Sequence, residues 1–459
     1  MFNLSYHTFV SDREECNLKK RVNKSNTVYY ESYGCSSNKN DMEIMLGILS
    51  NNGYSITREP KRASIIIVNT CAVKQITEDK IFEKLHKMKN HNKPMIITGC
   101  LPKVNRQRIV DSHLDHCSLL DPASIDKIDD MVNKCLQERV QKIMFSNQPP
   151  NKPSLPRIRL NKYIEILQIS EGCQGICSYC CTRFARGRLH CFPPKTILNQ
   201  IHQAIAENAV EIQLTAQDTA SYNYRGYNLS DLLRDISAVK GDFKIRIGMM
   251  NPDKVLKLLD EMIYSYENEK IYKYLHVPIQ SGSNRILKLM KRKNTVDDFL
   301  SIINIFRSHF PTISIATDII VGFPSETQRD FEETLQLIKN VSPDVINISK
   351  YAPRPGTEAS KMKQLDSRII ASRSRILSKH VEHIVMNQHM KMLGSYEEIY
   401  PIERTSRGTL FGRTHNYKKA FIHEVVPVGK KIRVKITGAH QRRLDCKVLD
   451  PKGSTGSIK

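Results

Sequence analysis

Six short apolar segments recur between residues 163 and 352, and stretches with a helical spacing of apolar residues separate them. The segments span residues 163–170, 211–216, 243–250, 274–280, 314–322 and 345–352. Regular alternation of strands and helices builds a parallel sheet, and six such units predict a partial (β/α)6 barrel, since the closed form has eight. The loops that follow the strands share one face of such a barrel, and we expect the active site there.

Three further apolar segments, nearer the amino terminus, each run into a cysteine. They span residues 27–35, 64–71 and 94–100, and helical patterns at 41–51 and 78–89 lie between them. This βαβαβ order predicts a doubly wound α/β domain, in which the carboxyl ends of parallel strands meet at one edge of the sheet. Cys35, Cys71 and Cys100 are therefore expected to converge. Taken by themselves, they fit three core cysteines as well as they fit a metal site.

The loop after the first barrel segment contains Cys173, Cys177 and Cys180 in the pattern CxxxCxxC. Three thiolates at this spacing can bind three irons of a [4Fe-4S] cluster and leave the fourth iron open to a cofactor. The alternative is the buried stripe of a helix, which Gly172 and Gly175 disfavour. The neighbouring Cys181 and the later Cys191 are interpreted as bystanders.

Three polar groups near strand ends, Asp218, Asp318 and Glu326, either contact a cofactor or cap turns, and His276 is expected to be a core histidine.

The charge balance points to a polyanionic partner. Seventy Lys and Arg oppose 47 Asp and Glu, which leaves a formal charge of +23. The excess is dense after residue 400, where 14 basic residues face 4 acidic ones. A strictly alternating run at 431–437 predicts a strand of a small β-barrel, with three apolar side chains inside and a basic outer face suited to a nucleic-acid backbone, formed by Lys431, Arg433 and Lys435.

Four prolines between residues 146 and 156 indicate a break between domains. We therefore expect a flexible arm at 1–26, an α/β domain at 27–140, a linker at 141–158, the barrel at 159–397 and the small β-barrel at 398–455. No apolar run reaches the length of a transmembrane helix, and no secretory signal opens the chain, which predicts a cytoplasmic protein. Twelve cysteines in such a protein indicate metal ligands rather than disulfides.

Together with Cys35, Cys71 and Cys100, the CxxxCxxC loop and the segments QSGSN, DIIVGFPSET and PRPGT resemble the methylthiotransferases of the radical S-adenosylmethionine enzymes. The resemblance covers about residues 27–455. It implies S-adenosylmethionine and two [4Fe-4S] clusters as cofactors, one cluster on each cysteine triad, and an RNA-binding TRAM domain at the carboxyl end. It further implies that one S-adenosylmethionine methylates a sulfur on the first cluster. Another is cleaved to a 5′-deoxyadenosyl radical, which activates a C–H bond of the substrate.

Three segments are most similar to the archaeal and eukaryotic branch of that family: residues 180–193, TAQDTASY and SIATDIIVGFPSET. The resemblance implies a tRNA substrate with N6-threonylcarbamoyladenosine at position 37, beside the anticodon. Arg183, Arg186 and Arg188 are expected to contact anticodon-loop phosphates or the threonyl carboxylate, although a solvated basic loop explains each of them equally well. The end DPKGSTGSIK lacks the apolar anchor of animal members, so no membrane attachment is expected.

Three alternatives stay open at this point. The substrate could be tRNA with N6-isopentenyladenosine or an aspartate of a ribosomal protein, and the chain could be a metal-stabilised RNA-binding module without turnover. The sequence identifies neither the sulfur donor nor the electron donor.

Overall fold

The computed structural model describes residues 26–138, 141–405 and 408–449. The predicted arm at 1–26 lies outside these ranges except for Asn26, and so do residues 450–455 of the predicted terminal barrel.

An all-parallel sheet of six strands forms the amino-terminal domain, in the spatial order β2-β1-β3-β4-β5-β6. The strands are β1 (Thr27–Ser32), β2 (Ser55–Thr57), β3 (Ile65–Thr70), β4 (Met95–Gly99), β5 (Ser118–Leu120) and β6 (Ile143–Met144). The helices are α1 (Ser36–Asn51), α2 (Gln75–Lys89), α3 (Leu101–Val104), α4 (Arg106–Asp111) and α5 (Ile128–Gln137). β3 and β4 are buried along their whole length, because helices cover both faces of the sheet.

The predicted linker at 141–158 is part of the packed structure. It contributes β6, so the sheet continues past residue 140, and a short 3-10 turn at Lys152–Ser154. Its last residues lie against α1, where a Cβ on Gly47 would come within 2.4 Å of the Arg157 Cα. Only glycine allows this close approach, which ties the segment to the amino-terminal domain.

The central region is the predicted arc of six βα units. Its six main strands are β7 (Ile164–Gln168), β10 (Glu211–Thr215), β13 (Lys244–Ile247), β14 (Tyr274–His276), β15 (Ser314–Val321) and β16 (Val345–Lys350). Two minor pairs lie between the first three of them: β8 (Ser170–Glu171) with β9 (His190–Cys191), and the hairpin of β11 (Asn223–Tyr224) and β12 (Tyr227–Asn228). They form two parallel sheets, β13-β10-β7 and β14-β15-β16. A parallel bridge between Ile245 and Ile271 connects the two sheets into one curved wall.

The helices of this region are α6 (Thr182–Arg186), α7 (Pro194–Ala206), α8 (Leu229–Ala238), α9 (Pro252–Val255), α10 (Leu259–Glu267), α11 (Asn284–Leu289), α12 (Val296–His309), α13 (Gln328–Val341) and α14 (Ser367–Met390). Helices α8, α12 and α13 begin with capping boxes, built on Asn228, Thr295 and Thr327. These caps satisfy the first backbone N–H groups and so define where each helix begins.

A small, curled β half-barrel, called the terminal barrel below, follows α14. Its strands are β17 (Tyr396–Ile399), β18 (Glu403–Arg404), β19 (Leu410–Arg413), β20 (Lys419–Ile422), β21 (Ile432–His440) and β22 (Arg443–Val448), in the order β17-β21-β22-β20-β19-β18. The predicted alternation of β21 is confirmed, since Val434 and Ile436 are buried while Arg433 is exposed.

This domain lies at the amino ends of the barrel strands. Lys418 contacts Ser314, the first residue of β15, and forms an ion pair with Asp344, which precedes β16. Asn161, just before β7, donates to the carbonyl of Ile402 at 2.8 Å. The terminal domain therefore closes the end of the barrel opposite to the loops after the strands. No helix in the described part of the chain is both long and apolar enough to cross a bilayer.

Candidate metal centre and active site

The first cysteine set lies at the carboxyl edge of the amino-terminal sheet. Cys71 comes just after β3, Cys100 just after β4, and Cys35 just before α1. The Sγ atoms of Cys35 and Cys100 lie 3.5 Å and 4.0 Å from one oxygen, the Oδ1 of Asn38. A Cβ on Gly34 would lie 2.9 Å from the Cβ of Cys71. Three thiols from separate parts of the sequence thus meet around Asn38.

The surroundings of this first set penalise free thiolates. Cys71 and Cys100 are 7% and 5% exposed, whereas Cys35 is exposed. Burial raises the pKa of Cys71 to about 12, and the neighbouring thiols add to the shift. Burial also raises the pKa of Cys100, against which the Arg186 guanidinium acts. Thiolates at this place need a positive partner, such as the irons of a metal cluster. The site is open to solvent on the side of Cys35.

The second set lies in the loop after β8, at the carboxyl end of the barrel. Residues 172–181 form no helix, so the buried-stripe alternative does not apply. The Sγ of Cys173 accepts a hydrogen bond from the N–H of Gly175 at 3.2 Å, and the Sγ of Cys177 lies 3.9 Å from the Nη1 of Arg292. Burial raises the pKa of Cys173 to about 11 and also raises the pKa of Cys180.

Both triads fit an iron–sulfur cluster by their donor chemistry. Within the described ranges, no three His, Cys, Asp or Glu side chains come close enough together for one metal ion. A cubane places different demands on the chain, because each thiolate binds a different iron and the thiols therefore stand farther apart. Three thiolates per set would hold three irons and leave the fourth open.

A polar network lies beside the second set. Asp218 is 2% exposed and accepts hydrogen bonds from the backbone and side-chain nitrogens of Asn251 at 3.0 Å and 2.8 Å, and from Ser221 at 2.6 Å. Burial raises its pKa. Arg292 donates to the Oδ1 of Asn251 at 2.9 Å. These residues line a cavity that Cys177 also reaches, and its carboxylate and guanidinium suit a ligand with both charges.

The other polar groups near strand ends have structural partners. Glu326 accepts hydrogen bonds from the N–H of Gly322 at 3.0 Å and from Arg373 at 2.7 Å, which is the turn role. The Nε2 of His276, a residue only 9% exposed, lies 3.2 Å from Asp318. The interaction with His276 lowers the pKa of Asp318 against the effect of burial, and Asn347 adds to it.

The segments that carry the two cysteine sets meet at the domain interface. Arg354, from the PRPGT segment, is 4% exposed and donates to Glu78 of α2 at 2.6 Å and to the carbonyl of Val73 at 3.1 Å. Glu78 is fully buried and also accepts from Arg108 at 2.8 Å. The carboxyl end of the barrel is therefore fastened to the segment that follows Cys71.

The expectation for Arg186 has to be corrected. Its side chain is buried and lies 2.7 Å from Asp41 and 2.9 Å from Glu171, so it cannot reach a phosphate or a threonyl carboxylate. Arg183 and Arg188 are exposed, and their contact with RNA stays a prediction. On the terminal barrel, Arg433 is exposed, Lys435 is partly exposed, and Lys431 forms an ion pair with Asp242 at 2.8 Å.

Two groups near the second set were not among the residues predicted for the site. Asn251 lies in a loop that was expected on the active face, and this position was its only signal. Arg292 follows α11 and carries no motif, so only the folded chain brings it to Cys177.

Comparison with known proteins agrees with this geometry. Residues 167–338 match the Radical SAM superfamily, and residues 27–119 match the uncharacterized protein family UPF0004. The solved radical S-adenosylmethionine methyltransferase TsrM from Kitasatospora setae has a TM-score of 0.53 at 11% identity, over 73% of this chain and 75% of that one. The cobalamin-dependent radical enzyme OxsB has a TM-score of 0.52 over 79% and 58%. These likenesses concern the fold, which together with the superfamily match defines a radical S-adenosylmethionine enzyme with an iron–sulfur cluster.

Curated relatives narrow the class further. A probable threonylcarbamoyladenosine tRNA methylthiotransferase from Pyrococcus horikoshii is 40% identical over 88% of this chain and 94% of its own length. The relative of that name from Methanothermobacter thermautotrophicus is 40% identical over 85% and 92%. The human threonylcarbamoyladenosine tRNA methylthiotransferase is 31% identical over 92% and 75%. The chain belongs to the threonylcarbamoyladenosine tRNA methylthiotransferase family.

Proposed function

We propose that this chain converts N6-threonylcarbamoyladenosine at position 37 of tRNA to its 2-methylthio derivative. The observation that carries the proposal is the meeting of two cysteine triads at one interface, at the carboxyl end of the barrel. The relatives that bear this activity in their names support the substrate, since they match over most of the chain.

The proposal includes a second [4Fe-4S] cluster on Cys35, Cys71 and Cys100, besides the one on Cys173, Cys177 and Cys180. When bound, the clusters and S-adenosylmethionine supply the radical and the methylthio group. The burial of Cys71 and Cys100 keeps water away from the inner side of the first site, whereas Cys35 is exposed and Cys173, Cys177 and Cys180 are partly exposed.

The chain's own side chains supply binding and orientation. We assign Arg292 and Asp218 to the two charged ends of the amino acid part of S-adenosylmethionine, because both reach the cavity beside Cys177. The Arg354–Glu78 pair keeps the two domains in register, so that both cysteine sets serve one substrate nucleotide.

Exposed groups around the cysteine loops give the surface for tRNA. Arg183 and Arg188 are exposed beside the second set, and so are the apolar side chains of Phe184 and Ile176. Cations attract phosphates, and an exposed aromatic ring offers a face on which an unpaired base stacks. The basic strand face of the terminal barrel would hold a more distant part of the same tRNA.

The test is an anaerobic reaction of the reconstituted protein with S-adenosylmethionine, a reductant and tRNA that carries threonylcarbamoyladenosine. Mass spectrometry of the digested nucleosides should show the mass gain of one methylthio group on that nucleoside. Matched reactions use tRNA with isopentenyladenosine and the ribosomal-protein aspartate substrate. Product from either of these, with none from threonylcarbamoyladenosine, would contradict the proposed substrate. Absence of both product and 5′-deoxyadenosine would favour an RNA-binding module.

A further inference from the structure

One guanidinium contacts the segments that carry both cysteine sets. The Nη2 of Arg186 lies 3.0 Å from the Oδ1 of Asn38 and 2.7 Å from Asp41, both on α1. Its Nη1 lies 2.9 Å from Glu171, two residues before Cys173. Arg186 thereby connects the loop of the barrel cysteines to the helix that begins next to Cys35.

The guanidinium belongs to a buried charge quartet of Arg186, Lys152, Asp41 and Glu171. The Nζ of Lys152 lies 2.6 Å from Asp41 and 2.8 Å from Glu171. All four side chains are at most 4% exposed. Two cations balance two anions, so the quartet is neutral. Buried ion pairs seldom stabilise a fold more than apolar residues of similar size would. Stability alone therefore does not account for these four charges.

The positive end of the quartet points toward the first cysteine set. The Asn38 oxygen that accepts from Arg186 is the one that lies 3.5 Å from the Sγ of Cys35 and 4.0 Å from the Sγ of Cys100. Lys152, which lies in the linker, contacts the carboxylates of Asp41 and Glu171. A negative group among these cysteines would therefore lie nearer to the guanidinium of Arg186 than to the carboxylates of Asp41 and Glu171.

We propose that Arg186 is a positioning residue that stabilises the reduced state of the cluster held by Cys35, Cys71 and Cys100. The inference rests on the proposed function, which supplies that cluster. Reduction adds one negative charge, and a cation nearby in a buried, weakly polarisable place lowers the energy of the reduced form. Net charge and hydrogen bonds around the sulfurs are known to set cluster potentials.

The test isolates this cluster in a parent variant in which Cys173, Cys177 and Cys180 are all replaced by alanine. Iron and sulfide are counted, and the midpoint potential is measured by an anaerobic redox titration followed by electron paramagnetic resonance. Three variants of the quartet are then compared in that parent: Arg186→Gln, Glu171→Gln and the double variant. They change the net charge of the quartet by −1, +1 and zero.

Arg186→Gln should make the potential more negative and Glu171→Gln more positive, and the double variant should lie between them. This ordering follows from charge and would not arise from a merely structural role. The double variant keeps the remaining charges balanced, so it tests the proposal even where the single Arg186 variant fails to fold. Arg183→Gln, an exposed arginine on the same helix, is the control and should leave the potential unchanged.

The outcomes separate this inference from the proposed function. A parent without iron contradicts the second cluster itself. A parent with a cluster whose potential is the same in all variants, or shifts in the opposite order, overturns only the role of Arg186. Loss of iron from all quartet variants with an intact fold also overturns it, because the quartet would then be needed to assemble the site.

Discussion

The thiol of Cys181 donates a hydrogen bond to the carbonyl oxygen of Ala72 at 3.4 Å, and this contact joins the two cysteine loops. Cys181 directly follows Cys180, and Ala72 directly follows Cys71. The third cysteine of one set and the second of the other therefore lie one residue from a shared contact. Such closeness suits a reaction in which both sites act on a single nucleotide.

The first prediction separates the two cysteine sets by chemistry. Cys177→Ala should abolish formation of 5′-deoxyadenosine, since it removes a thiolate from the site that cleaves S-adenosylmethionine. Cys71→Ala should stop methylthiolation while uncoupled cleavage continues. Both products are measured in one chromatographic run. Cys117→Ala, a buried cysteine outside both sets, is the control, and wild-type product from Cys71→Ala would contradict the assignment.

The second prediction concerns the fastening of the barrel to the amino-terminal domain. Arg354→Ala leaves buried Glu78 with one cationic partner fewer, so the free energy of unfolding should fall by about 3 kcal/mol. Denaturant titration of the metal-free protein measures it. Arg368→Ala removes an exposed arginine that pairs with Asp366 and should change nothing. Equal stability of the two variants would show that the buried pair does not hold the domains together.

The third prediction is a pH dependence. Burial raises the pKa of Glu43 to about 8 from its ordinary 4.5. The folded chain therefore binds more protons than the unfolded chain between about pH 4.5 and 8, and stability falls as the pH rises through this window. Relative to the wild type, Glu43→Gln should gain about 4.5 kcal/mol of stability between pH 4.5, where the two are about equally stable, and pH 8.5.

Unfolding curves of both proteins across this pH range provide the measurement. The backbone N–H of Leu160, which now donates to Glu43 at 3.0 Å, keeps an acceptor in the glutamine variant. A constant difference in stability at every pH would mean that folding does not raise the pKa of Glu43.

The elements that the sequence located correctly are those with long apolar patterns. β3 and β4 are runs of Ile and Val that end in cysteines, so both the strands and the convergence of their ends were predictable. β5 and β6, of three and two residues, were missed because so short a segment shows no period. These two strands form because β4 offers a free edge to β5, and β5 in turn offers one to β6, and not because their own residues show a strand pattern.

The burial of Arg186 shows what a linear pattern cannot supply. In the sequence it is one of three arginines after the cysteine loop, and nothing distinguishes it from Arg183 and Arg188. Its partner Asn38 lies 148 residues away along the chain. This pairing forms when the two domains dock, which no local pattern records, and the sequence alone therefore led to a surface position for Arg186.

The fourth prediction concerns tRNA binding by the terminal barrel. Replacing both Arg433 and Lys435 by glutamine should weaken binding and reduce the slope of log affinity against log salt by about 2, or about 1 for each lost phosphate contact. Lys431→Gln should have less effect, since that lysine is already paired with Asp242. Filter binding at several salt concentrations measures both quantities. An unchanged slope in the double variant would mean that this face does not contact the backbone.

The most direct test of two metal centres is a count of iron and sulfide in three proteins: the wild type, the variant with alanine at Cys35, Cys71 and Cys100, and the variant with alanine at Cys173, Cys177 and Cys180. After anaerobic reconstitution we expect about eight irons in the wild type and about four in each variant, because each triad holds one cubane. If the variant without Cys35, Cys71 and Cys100 keeps as much iron and sulfide as the wild type, the first triad holds no cluster, and a mechanism with two clusters is contradicted.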